Sequence, residues 1–184
     1  MRNSMIFALT LTFATIPHAF ACAQDTSGKS KKPDAKRVAS NKHAFSVIPP
    51  VGWKRAAYSR SAFLEFVGPA AQKLPNVNVR AVAYDGGDLR ELCAVIKSAL
   101  EGGDDEWTPI YESFLEIDGH KAFFLIATQM NETQGIRFKT KMLQCFIGDK
   151  PNGYIMTFSC LPELFDELRP SFEKSANSVQ LKQK

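Results

Sequence analysis

An α+β domain follows from three observations: a single antiparallel sheet of about six to eight strands, covered by two main helices. Apolar residues alternate with polar ones at strand spacing, as in Val77, Val79, Ala81 and Ala83. Two stretches, starting at Asp88 and at Pro162, repeat their apolar residues at helical spacing instead. Short turns such as Asp118-Gly119 join neighbouring strands, as antiparallel pairing requires.

The elements can be justified in chain order. His43–Ile48 reads as a strand ended by Pro49-Pro50, and Val51-Gly52-Trp53 turns into a second strand around Lys54–Tyr58. Ala62–Val67 is a third strand, closed by Gly68-Pro69, and Asn76–Ala83 a fourth. Asp88 caps a helix whose residues Leu89, Leu92, Cys93, Ile96 and Leu100 form one stripe, stopped by Gly102-Gly103. Ile110–Ile117 and His120–Met130 form a hairpin about Asp118-Gly119. The run Ala122–Ala127 is apolar on both faces, which places it mid-sheet. Residues Asn131–Gly135 turn into a long strand, Ile136–Ile147, paired with Tyr154–Ser159. A last helix starts at Pro162, well suited to a first helical position, and buries Phe165, Leu168, Phe172 and Ala176. Pro170 should kink that helix, and Val179–Leu181 adds an edge strand.

The N-terminus reads differently. Arg2, the apolar run Met5–Ile16, Pro17 and the small residues Ala19 and Ala21 stand in the order of a secretory signal, residues 1–23. No apolar run reaches the ~18 residues of a membrane-spanning helix. Residues 24–42 have no aromatic side chain and carry six Lys or Arg against two Asp. Such a segment cannot bury enough surface to offset its ordering entropy, so it reads as a flexible basic tether to a domain at 43–184.

The charge of the whole chain, +4, is therefore a composite. The stretch 43–184 holds 16 Lys and Arg against 17 Asp and Glu. It lacks the basic footprint of a nucleic-acid-binding domain, which excludes that class of partner. The tether suits peripheral contact with anionic headgroups.

Four cysteines pose separate questions. Cleavage after Ala21 would leave Cys22 first in the mature chain, where a lipid anchor is attached in bacterial lipoproteins; cleavage after Ala23 would remove it. Export permits disulfides. A two-residue turn at Asn152-Gly153 would set Cys145 opposite Cys160, close enough to bridge, whereas a loop over Asp149–Asn152 leaves them four residues out of register. Cys93 suits a core position.

The order of pieces resembles the PsbP-like fold, in particular the bacterial exported DcrB-like proteins. The pieces are Phe45-Ser46-Val47 with Pro50-Val51-Gly52-Trp53, then Asn76-Val77-Asn78-Val79 before a helix. Ile117-Asp118-Gly119-His120-Lys121-Ala122 follows at a hairpin, and Tyr154-Ile155-Met156-Thr157-Phe158 before a helix containing Phe165 and Phe172. The resemblance spans about His43–Leu181. It implies a mostly non-catalytic group of envelope accessory proteins, photosystem extrinsic subunits and chaperones, with no catalytic residues to carry over.

The residues themselves agree with that expectation. A nucleophile needs a base within reach. Cys160 precedes a helix, but His43 and His120 stand nowhere near it in sequence. A thiol-dependent or hydrolytic enzyme using Cys160 with His120 is the alternative reading, and a structural lipoprotein another. Glu101, Asp104, Asp105 and Glu106 lack the spacing of a calcium loop, and no Cys or His pair has zinc spacing. No cofactor is expected. Arg137, Lys139 and Lys141 alternate on one strand face, opposite Phe138 and Met142, and suit a carboxylate- or phosphate-bearing partner. The function expected is a non-catalytic exported envelope module that binds a protein, peptide or glycan across a groove between sheet and helix.

Overall fold

A computed structural model describes residues 36–57, 59, 62–69, 74–89, 91, 92, 94 and 107–182. The chain divides between Lys31 and Lys32. Residues 1–23, read as a signal, with Cys22, and most of the expected tether lie outside the described residues, as do Cys93 and the acidic stretch 101–106.

Among the described residues, seven strands form one antiparallel sheet. In chain order they are β3 (Lys54–Arg55), β4 (Leu64–Val67), β5 (Asn76–Ala83), β6 (Trp107–Ile117), β7 (His120–Thr133), β8 (Ile136–Asp149) and β9 (Asn152–Cys160). Their spatial order is β3-β4-β5-β9-β8-β7-β6. A smaller antiparallel sheet, order β1-β2-β10, is made by β1 (Val38–Ala39), β2 (Phe45–Val47) and β10 (Gln180–Leu181). Helix α1 (Pro162–Ala176) packs against β8 and β9. The α+β class and the antiparallel sheet agree with the sequence reading. Two main helices are expected; the described residues give one complete helix, so the cover by two is not borne out. The other is represented by helical backbone at Leu89, Glu91, Leu92 and Ala94.

The tight hairpins have a local cause. Asp118 (φ 53°) and Gly119 (φ 78°) both occupy the left-handed region that a two-residue turn between right-twisted strands needs. Gln134 (φ 54°) and Gly135 (φ 77°) repeat the device, so β7 runs on to Thr133 rather than stopping at Met130. The β8–β9 turn departs from the Asn-Gly expectation. Its loop residues are Lys150 and Pro151, with Asp149 already paired to Asn152. Gly153 instead sits in β9 opposite Gly148. A Cβ at Gly148 would come within 2.7 Å of the Tyr84 ring, and one at Gly153 within 3.1 Å of Val82. Both glycines serve close approach by these neighbours, not the turn.

The folded part also begins before His43. Val38 and Ala39 pair with Val47 and Ser46. Arg37 Nη1 donates to the Ser178 carbonyl at 2.7 Å, tying this strand to the segment after α1. The last residues of the expected tether therefore belong to the domain: a short strand needs few apolar residues when a neighbour supplies its ladder partners.

The main core lies between the sheet and α1. Phe45, Phe66, Tyr154, Phe158, Phe165 and Phe172 are all buried in it. Phe158 and Phe172 stack at 5.0 Å, and Trp53 meets Phe172 edge-on at 5.8 Å. The helix continues through Pro170 to Ala176.

Candidate functional site

Side chains alternate along each strand, so the register assigns every residue to one of two faces. The face toward α1 is filled: Phe158, Phe165 and Phe172 are at most 1% exposed. The groove expected between sheet and helix is thus occupied by core at α1. The cavity of interest lies on the opposite face of the same strands.

That opposite face is built in rows. Asn78 (β5), Thr157 (β9), Gln144 (β8) and Leu125 (β7) form one row. Asn76, Ser159, Met142 and Ala127 form the next, followed by Thr140 beside Gln129 and Phe138 beside Asn131. On the other side of the Gln144 row stand Arg80, Ile155, Phe146 and Phe123. Phe123, Leu125 and Phe146 meet Leu89 there as a second, smaller apolar cluster. One end of the face is therefore dry and packed, and the other is rich in amides and hydroxyls. The polar end encloses about 450 Å³, within the ~300–1,000 Å³ typical of small-molecule sites.

Its hydrogen bonding is incomplete. Gln144, 8% exposed, donates through Nε2 to Thr157 Oγ1 at 3.3 Å. Asn131 Nδ2 donates to Thr140 Oγ1 at 2.9 Å. Yet Asn76 Oδ1, Asn78 Oδ1 and Gln144 Oε1 are buried and accept no bond among the described residues. Buried polar atoms are nearly always paired, and an unpaired one costs about 1–3 kcal/mol. Turning an amide over exchanges an unpaired acceptor for an unpaired donor and removes neither. Trp107, on the rung of Gln129, adds a buried indole Nε1–H that is also unpartnered among the described residues. Four unmet groups on one face of one sheet describe a surface built for a ligand's hydrogen bonds.

The residues singled out from sequence fall elsewhere. Cys145 pairs with Met156 and Cys160 with Lys141, so the thiols stand four residues apart in the ladder, roughly 13 Å, and both are free. Of the two registers the sequence leaves open, this is the one with the cysteines four residues apart; the bridging register is excluded because the turn is Lys150-Pro151. Burial pushes the Cys160 thiol up to about 12, with Lys141 opposing the rise and Glu163 and Asp166 adding to it. Burial alone raises that of Cys145. His120 Nδ1 lies 3.3 Å from the Gly148 carbonyl and 3.9 Å from Asp149 Oδ1. Gly148 is seven residues along β8 from the rung of Cys160, roughly 23 Å away. A Cys160–His120 pair therefore does not form. At neutral pH, alkylation by iodoacetamide should modify Cys145 and Cys160 only after unfolding, as intact mass would register. Because folding raises both values, the thiols' contribution to stability is complete below the unfolded value near 9.0 and fades as pH climbs toward about 12.

Arg137, Lys139 and Lys141 lie on the α1 face and not in the cavity. Lys141 Nζ sits 3.3 Å from Asp166 Oδ1 and 4.5 Å above the Phe165 ring. It is held by the helix, whereas Arg137 and Lys139 stand exposed near the Gln134-Gly135 turn. Among the described residues, no three His, Cys, Asp or Glu side chains gather as metal ligands.

No protein-family model matches the chain, and no curated protein matches its sequence. Solved structures do match in shape. CyanoP, the PsbP of Synechocystis sp. PCC 6803, superposes with a TM-score of 0.59 at 15% identity, over 80% of this chain and 92% of its own. The Ran-binding protein Mog1p of Saccharomyces cerevisiae gives 0.56 at 13%, over 79% and 94%. LpqN of Mycobacterium tuberculosis, involved in cell envelope biogenesis, gives 0.52 at 11%, over 82% and 86%. Likeness at such low identity is carried by strand order and packing, and it gives this chain the PsbP-like fold.

Proposed function

We propose that the chain is an exported, non-catalytic accessory protein of the cell envelope, a binding module whose ligand lies along the amide-lined face of the large sheet. The observation that carries this reading is the set of unmet buried groups, Asn76 Oδ1, Asn78 Oδ1 and Gln144 Oε1, around one cavity. Among the described residues the cavity is lined chiefly by amides and hydroxyls, with no cysteine or histidine to serve as nucleophile or base. The signal-like N-terminus supports export, and the likeness to an envelope protein supports the compartment. In this reading the mature chain starts at Cys22, with a lipid anchor, or at Gln24. Residues of the basic tether rest against anionic headgroups, and Arg137 and Lys139 meet the anionic part of a partner. The mass of the mature N-terminus separates the two starts.

A photo-crosslinking side chain placed at Phe138, in the cavity wall, tests the module in intact cells. It should trap one reproducible envelope component that the same probe at the exposed Val51 does not. Identical products from both positions, or none from Phe138, would contradict the proposal.

A further inference from the structure

We infer that the ligand of this face is a short, uncharged saccharide chain. The inference rests on the binding-module reading above and narrows it. The wall holds amides at Asn76, Asn78, Gln129, Asn131 and Gln144 and hydroxyls at Thr140, Thr157 and Ser159, with Arg80 as the one charged residue among its described residues. A ligand of high charge would find few counter-charges here.

The orphan groups point the same way. A sugar hydroxyl donates and accepts at once. It satisfies an unmet amide oxygen in one rotamer and an amide N–H in the other, so every orientation of Asn76, Asn78 and Gln144 is answered. An extended peptide gains most of its affinity from main-chain pairing at a sheet edge. These groups instead project from the face of central strands β5 and β8, whose backbone ladders are already paired on both sides. Phe138 and Met142 supply the apolar surface on which the C–H face of a sugar ring rests; Gln144 and Asn78 share the row beside Met142, and Phe138 lies two rows beyond it on the other side. About 450 Å³ suits a chain of a few rings rather than a polymer threaded through the domain.

The test is calorimetric titration of the full mature chain with three neutral tetrasaccharides: the N-acetylglucosamine tetramer, cellotetraose and maltotetraose. At least one should bind, and Asn78→Leu and Gln144→Met should each weaken it tenfold or more while remaining folded. Phe138→Ala, at a partly exposed position that does not threaten folding, should weaken it several-fold. Binding that ignores all three substitutions would overturn the inference. If no tetrasaccharide binds but a member of an uncharged peptide library does, dependent on Gln144, the saccharide assignment falls and the binding module stands. If neither class binds, both fall.

Discussion

Phe172→Ala is expected to lower the unfolding free energy by about 3–5 kcal/mol, the range for removing a fully buried aromatic side chain. The ring touches Trp53, Phe158 and Phe165 at once and is 0% exposed. These neighbours come from the loop before β3, from the sheet and from α1 itself, so no single rearrangement can close the cavity left behind. Urea denaturation measures the change as a shift of midpoint at unchanged slope. Leu164→Ala, on the same helix but at an exposed site, should change stability by less than about 0.5 kcal/mol. Equal effects from the two substitutions would mean that α1 is not docked through Phe172.

Gln144→Met is expected to act in the opposite sense. Met keeps the length of the side chain, and its neighbours on the face include Met142 and Leu125. The substitution removes an unpaired buried oxygen, a relief of about 1–3 kcal/mol, and forfeits one neutral hydrogen bond to Thr157 worth about 1 kcal/mol. The net is a domain more stable by about 1 kcal/mol, measured by thermal or urea unfolding. The sign is the informative part. A residue kept only for folding loses stability when replaced, whereas a residue kept for a ligand gains stability and loses binding. A loss of stability at Gln144 would reassign it to structure.

Much of this fold is legible before any coordinates. Strand β5 has the bounds that the alternation of Asn76–Ala83 implies, because the even residues face one side and Val77 and Val79 are buried in the core. The Asp118-Gly119 hairpin and the start of α1 at Pro162 are equally local and equally readable. What failed depends on partners distant in sequence. Asn152-Gly153 carries a turn signature, but Gly148 and Gly153 pair within the strands against Tyr84 and Val82, and the turn lies two residues back at Lys150-Pro151. That turn selects, of the two registers the sequence leaves open for Cys145 and Cys160, the one four residues apart. Val38 and Ala39 look like tether because their ladder partners lie in β2.

The candidate site was half visible. Gln144 is a lone amide in the apolar run Met142–Ile147, and Asn76 and Asn78 alternate with buried valines. Each is a recognisable anomaly by itself. That they share a face, with Asn78 and Gln144 in one row and Asn76 in the next, becomes apparent only from the β5–β9–β8 register, which no local pattern encodes.

The side-chain amide resonances of Asn76, Asn78 and Gln144 report on the cavity most directly. In a ¹⁵N-labelled mature chain, titration with the binding tetrasaccharide should shift these three NH₂ pairs, together with the indole N–H of Trp107, in a saturable way. The indole of Trp53, packed against Phe172 on the α1 face, should stay in place. Shifts confined to the α1 face, or none at any of the three amides, would contradict the account.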